Sequence, residues 1–161
     1  MLNDGRFKLT VRQPKRGGGV RVVITTPNGE ILKYGVRLRF PTTNSEAEYK
    51  GILTGLRLGK ALGVKNLLIQ SDSKLVVEQI KGEYEMKEER MQKYLRLTRH
   101  LTREFDEVEF IQVPRNQNTL ANEISKLASS EEGGLSNNLV MEVQKHPNIE
   151  KVPYTYDTKH K

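Results

Sequence analysis

Residues 42–63 read TTNSEAEYKGILTGLRLGKALG. The stretch has the grammar of a helix. Ser45 or Asn44 can cap a first turn, and Glu46 and Glu48 complement the positive end of the helix dipole. From Glu48 onward, Ile52, Gly55, Leu56, Gly59 and Leu62 recur at spacings of three and four, one apolar stripe that ends near Gly63. Dipole complementarity accounts for Glu46. It accounts less well for Glu48, which lies on or beside the stripe, where a carboxylate is costly unless hydrogen bonds or positive charge meet it. Glu48 is therefore a candidate site residue.

Strands surround this helix. Residues 6–12 alternate, with Phe7, Leu9 and Val11 on one face and Lys8, Thr10 and Arg12 on the other. A basic link, QPKRGGG, leads to VRVVITT, the turn PNG and the strand EILKYGVRLRF, together an antiparallel meander. After the helix, VKNLLIQS predicts a strand parallel to its neighbour in the sheet. DSKLVVEQIKG predicts a short helix ending at Gly82. EERMQKYLRLTRHLTREF predicts a longer one, with Met91, Tyr94, Leu95, Thr98, Leu101 and Phe105 at helical spacing. EVEFIQV is the fifth strand, closed by Pro114, and NTLANEISKLAS the last helix. The expectation is an α/β fold: a mixed five-stranded sheet, three antiparallel strands plus two further strands, flanked by helices. One domain spans 1–129. Residues 130–161 form a linker-like tail, in which LVMEVQ reads as a short strand or a helix turn.

The whole chain has 161 residues, enough for one core, and a net charge of +7. That charge favours a polyanionic partner, nucleic acid first. The absence of cysteine excludes disulfides, thiol chemistry and cysteine-ligated zinc. No apolar run is long enough to span a bilayer, and the first residues lack a signal-peptide core. The expected location is intracellular, cytoplasm or nucleus, with no membrane partner.

Asp72 falls at the C-terminal end of the fourth strand, where sites gather in open α/β sheets. It reads either as the N-cap of the following helix or as a partner of Glu48 in a divalent-cation site.

Three segments, TTNSEAEYKGILTGLRLGKALG, LLIQSDSKLVVEQIKGEYEMKEERMQKYL and VPRNQNTLANEISKLAS, together resemble the type-I branch of the ribonuclease H fold. The nearest likeness is to the RNase H-like domain in polyproteins of plant Ty3/gypsy-type LTR retrotransposons. LVMEVQKHPNIEK is similar to the segment that follows it there, towards integrase. The resemblance runs from about Gly19 to Lys151. It implies four carboxylates that hold two Mg2+ (or Mn2+) ions and cut the RNA strand of an RNA–DNA hybrid. The family's TNNEAE glutamate falls on Glu48 and its SDS aspartate on Asp72, with Ser73 beside it. Thr43 and Asn44 match positions that touch the nucleic-acid backbone.

Two positions depart from the pattern. The family's first strand ends in Y-V-D-G-S-S-N. Matching Phe7 and Leu9 puts Arg12 at the aspartate, whereas counting back from PNG puts Thr10 there. The family's N-x-x-A-D reads NTLAN here, so the fourth acid is Asn122. Like unit charges about 4 Å apart repel by roughly 4 kcal/mol with partial screening, so an arginine at the first position would disfavour cations. The expectation is weak or absent metal binding at Glu48 and Asp72, and a domain that holds an RNA–DNA hybrid or double-stranded RNA with impaired or no cleavage. Arg12, Lys15, Arg16 and Arg115 are the candidate phosphate contacts, with Thr43, Asn44 and Ser73 as further candidate contacts to the nucleic acid. Two alternatives stand beside this. One is an active Mg-dependent ribonuclease H with a rearranged site using Asp4 or Glu123. The other is a protein-interaction module, for reverse transcriptase or another protein.

Overall fold

The computed structural model describes residues 5–14, 19–114 and 139–144. The elements run β1 (Arg6–Arg12), β2 (Gly19–Thr25), β3 (Ile31–Leu38), α1 (Asn44–Ala61), β4 (Asn66–Ser71), α2 (Lys74–Lys81), α3 (Glu89–Thr102), β5 (Glu107–Gln112) and β6 (Leu139–Gln144). They build one mixed sheet in the order β5-β4-β1-β2-β3-β6. β1, β2 and β3 are antiparallel neighbours, turned at Thr26–Gly29, where the Gly29 N–H donates to the Thr26 carbonyl at 2.9 Å. β4 pairs parallel to β1, and β5 parallel to β4, through crossovers that contain helices, as parallel neighbours require.

The expected mixed sheet is present with one strand more. LVMEVQ is a strand: it extends β3 in parallel register, Lys33 opposite Leu139 through Leu38 opposite Gln144. A six-residue apolar run fits strand and helix alike, and only its long-range partner settles which it becomes.

One face of the sheet meets α1. Leu9 and Val11, Val20, Val22 and Ile24, Val36 and Leu38, Leu67 and Ile69 are all 5% exposed or less, under Ile52, Leu53 and Leu56 of the helix. Fully burying a side chain of this size contributes about 1.5–3 kcal/mol. The approach depends on Gly51 and Gly55. A Cβ on Gly51 would stand 2.6 Å from both Val11 Cγ1 and Val20 Cγ2, and one on Gly55 would collide with the Leu9 side chain. The helix thus lies directly on β1 and β2. Leu62 departs from the expected stripe: α1 ends at Ala61, and Leu62, its C-cap, is 52% exposed.

The helix N-terminus also begins one residue early. Thr43, not Ser45 or Asn44, is the N-cap, its hydroxyl accepting from the Glu46 N–H at 3.1 Å.

α3 packs on α1 through buried polar contacts. The Tyr49 and Tyr94 rings stack with centroids 5.8 Å apart. Tyr94 donates to Glu46 Oε2 at 2.6 Å, and Arg90 pairs with the same oxygen at 3.2 Å. Gln79 joins all three helices: its side-chain oxygen accepts from Tyr49 at 2.9 Å, and its carbonyl accepts from Arg99 at 3.3 Å. Lys50 is buried with its ammonium 5.9 Å from the Phe40 ring centroid and 5.7 Å from that of Tyr94. Desolvation pulls its pKa down to about 8; Arg57 and Arg90 push the same way, and Glu46 and Glu142 oppose. Tyr84 is 52% exposed.

Candidate functional site

The site forms where the C-terminal ends of β1 and β4 lie side by side against the first turn of α1. Parallel pairing sets Val11 opposite Ser71 and Thr10 opposite Gln70. Arg12 and Asp72 follow one residue on from the Val11–Ser71 pair. Side chains alternate along β1, so Leu9 and Val11 face α1, and Lys8, Thr10 and Arg12 take the opposite face.

Glu48 is fully buried, as its place beside the apolar stripe implied. Two neutral donors reach its carboxylate. Gln13 donates to Oε1 at 2.8 Å, and the Ser71 hydroxyl donates to Oε2 at 2.5 Å. The same Gln13 amide donates to the Asn44 carbonyl at 2.8 Å, tying the end of β1 to the start of α1. Ser71 Oγ in turn accepts from the Ser73 N–H at 3.1 Å. A buried carboxylate needs such partners, since leaving one unsatisfied costs several kcal/mol, of order 2–7 for a polar group without a bond.

Gln13 and Ser71 escaped the sequence reading. Ser71 was in view as the first residue of SDS. For Gln13 the only signal is its position after β1, which becomes informative once β1 and β4 are known to be parallel neighbours.

Asp72 is half-buried between Ser71 and Ser73. It is not the cap of α2. That role belongs to Ser73, whose hydroxyl accepts from the Val76 N–H at 3.2 Å. The cap reading of Asp72 therefore falls. Thr43 and Asn44 are exposed at the mouth of the site. Thr10 is 2% exposed and donates to Gln70 Oε1 at 3.2 Å. Arg12 is half-buried, and its register partner on β2 is Arg21. Lys15, Arg16, Arg115 and Asn122 lie outside the described residues, as do Asp4 and Glu123. Among the described residues no three His, Asp or Glu side chains converge where a metal ion could sit. None of the described helices is long and apolar enough to cross a membrane.

A second concave surface flanks the site. Tyr84, Met86, the α3 residues Arg96, Arg99 and His100, and Arg103 at the C-cap of α3 line a cleft between α2 and α3. Thr43, Ser45, Leu75 and Lys87 line the adjoining hollow, which leads back to the first turn of α1.

The family model described as reverse transcriptase-like matches residues 4–128, most of the chain. The chain belongs to this reverse transcriptase-like family. Its fold is that of an RNase H-like domain. RNase H1 from the halophilic archaeon Halobacterium salinarum NRC-1 superposes with a TM-score of 0.67 at 24% identity, over 79% of this chain and 99% of that one. The N-terminal RNase H domain of Rv2228c from Mycobacterium tuberculosis gives 0.62 at 28% identity, covering 73% and 94%. LC11-RNase H1, solved in complex with an RNA/DNA hybrid, gives 0.64 at 26% identity, covering 73% and 91%. In sequence, the chain is 31% identical over 112 residues to the bifunctional protein Rv2228c of Mycobacterium tuberculosis and to an uncharacterized protein, Mb2253c, of Mycobacterium bovis. That match takes in 70% of this chain and 31% of each relative, so the chain spans about a third of their length.

Proposed function

We propose that this RNase H-like domain, derived from a retrotransposon polyprotein, grips an RNA–DNA hybrid by its backbone and cleaves it poorly or not at all. The observation that carries the reading is the partnering of Glu48. Its carboxylate oxygens accept from Gln13 and Ser71, and β1 brings Thr10 and Arg12, not an acid, to the neighbouring strand end. Two divalent ions flanking a phosphodiester need a ring of oxygen ligands. Glu48 and Asp72, with Asn122 where the family pattern has its fourth acid, make a donor set too poor for that.

Grip has separate support. Arg12 and Arg21 are direct cross-strand partners, and Arg37 lies on the same face two residues beyond Gly35, the register partner of Arg21. Guanidinium groups on this face would meet a phosphate with charge-assisted hydrogen bonds. The cleft lined by Arg96, Arg99 and Arg103 is a second basic surface, on the helical side, and its adjoining hollow reaches Thr43. LC11-RNase H1, of the same fold, is a hybrid-bound precedent. Mg2+ or Mn2+ is at most weakly held.

The test is a labelled RNA–DNA hybrid, with binding followed at two salt concentrations and cleavage in Mg2+ and then Mn2+. Binding that weakens with salt, and cleavage at least 100-fold slower than that of an RNase H control, is the expected result. Cleavage at the control's rate would overturn the reading. Arg12→Asp should weaken binding and flatten its salt slope; an unchanged slope removes Arg12 from the interface. Thr10→Asp and Arg12→Asp, each combined with Asn122→Asp, test which position stands for the lost acid by which pair restores cutting.

A further inference from the structure

β6 lies outside the unit that the family shares. The family match ends at residue 128, and 79% of this chain suffices to cover 99% of the halophilic RNase H1. The sheet is therefore complete as a fold without β6, and β3 is then an edge with a free row of backbone donors and acceptors. Residues 139–144 fill that row in parallel register. Among the described elements, β6 packs chiefly on β3, and its α1-side residues Glu142 and Gln144 pair with Val36 and Leu38. Among the described side chains, Glu142 anchors it beside the backbone ladder. Tyr34 donates to Glu142 Oε1 at 2.9 Å, Gln144 Nε2 donates to Glu142 Oε2 at 2.9 Å, and the Arg39 N–H donates to the Gln144 carbonyl at 2.8 Å.

We infer that the β3 edge is a strand-docking site that accepts residues 139–144 in trans, from a second copy of the chain, as well as in cis. A strand added outside the family unit, held by a backbone ladder and an acid, has the character of strand addition, in which backbone bonds give affinity and one pocket gives selectivity. Exchange of such an element between copies adds no new contact, because each copy regains the bonds it gives up. The acid at 142 supplies the selectivity. It is met by the Tyr34 hydroxyl, so a segment with a cation at that place is refused.

The experiment uses the full chain and a fluorescent peptide of residues 137–146, read by anisotropy. The Gln144 carbonyl faces β3, and carbonyl and N–H of one strand residue point the same way with a period of two. Residues 140 and 142 therefore also aim their N–H groups at β3. Val140→Pro with Glu142→Lys removes one such donor, reverses the anchor and opens the edge. The intact chain should bind the peptide weakly, because its own strand competes at a high effective concentration. The opened chain should bind it at least tenfold more tightly. A peptide carrying Glu142→Lys should bind the opened chain at least tenfold more weakly than the native peptide, and Tyr34→Phe in the opened chain should weaken the native peptide several-fold. Equal affinity of the peptide for intact and opened chains, or of the two peptides for the opened chain, overturns the proposal. Circular dichroism checks that the opened chain stays folded, and Glu142→Lys alone, which leaves every backbone donor in place, carries the same comparison if it does not.

Discussion

Glu48→Gln separates a carboxylate held by neutral donors from one crowded by other acids. In an acid-rich metal cluster without its ions, the carboxylates repel, and removing one charge stabilises the fold. Here Glu48 is fully buried and accepts at 2.8 Å from Gln13 and at 2.5 Å from Ser71. A hydrogen bond to a charged group contributes about 1.5–3 kcal/mol net, and a neutral one about 0.5–1.5. The glutamine keeps one oxygen and turns its NH2 toward a donor, so one bond is downgraded and the other compromised. The expected loss is about 2 kcal/mol, which for a chain of this size lowers Tm by roughly 4–8 °C. Urea unfolding in EDTA measures it, with a second series in millimolar Mg2+. Wild type should unfold at the same midpoint in both, because a ligand stabilises only when its concentration exceeds its Kd. A Glu48→Gln protein more stable than wild type in EDTA, together with a wild type stabilised by Mg2+, would refute the reading of a site satisfied by Gln13 and Ser71.

Gly51→Ala gains up to about 1 kcal/mol of helix propensity, but its methyl meets Val11 and Val20, both 1% exposed or less. Overpacking of this kind costs about 1–3 kcal/mol. Net destabilisation in urea, with hybrid binding reduced because α1 carries Thr43, Asn44 and Glu48 away from β4, is the outcome expected; a stabilised protein would show that the helix does not rest on these strands. Lys50→Met should raise stability at pH 7 by about 1–3 kcal/mol. The folded pKa of Lys50 is lowered to about 8 from its ordinary 10.5. Below pH 8 both states hold the proton and the folded chain bears the whole penalty of the buried charge. Between about 8 and 10.5 the unfolded chain holds more protons, so wild-type stability climbs with pH. The advantage of the methionine variant over wild type should shrink from pH 7 to 10 in chemical unfolding; a constant gap would contradict it.

Much of this molecule could be read in advance, because its strongest patterns are local. The stripe from Glu48 to Gly59 gave α1, alternation in Phe7–Val11 gave β1, and Gly82, with φ of +83°, stops α2 where the pattern did. What escaped depends on pairing between distant segments. The Gln13 contact exists only because β1 lies parallel to β4, and β6 is a strand only because β3 offers it an edge. At helix starts, Thr43, Asn44 and Ser45 are all competent caps; the winner is set by which hydroxyl reaches the Glu46 N–H. The same competition at α2 went to Ser73, whose hydroxyl accepts from the Val76 N–H.

Gln79 ties α1, α2 and α3 through two separate atoms, a side-chain oxygen to Tyr49 and a carbonyl to Arg99. Local opening of any one helix must break a bond anchored in another. Amide protons of the three should therefore exchange with solvent as a single cooperative block. The walls of the arginine-lined cleft then keep their spacing on the timescale of ligand encounter, and a partner must fit the groove as it stands.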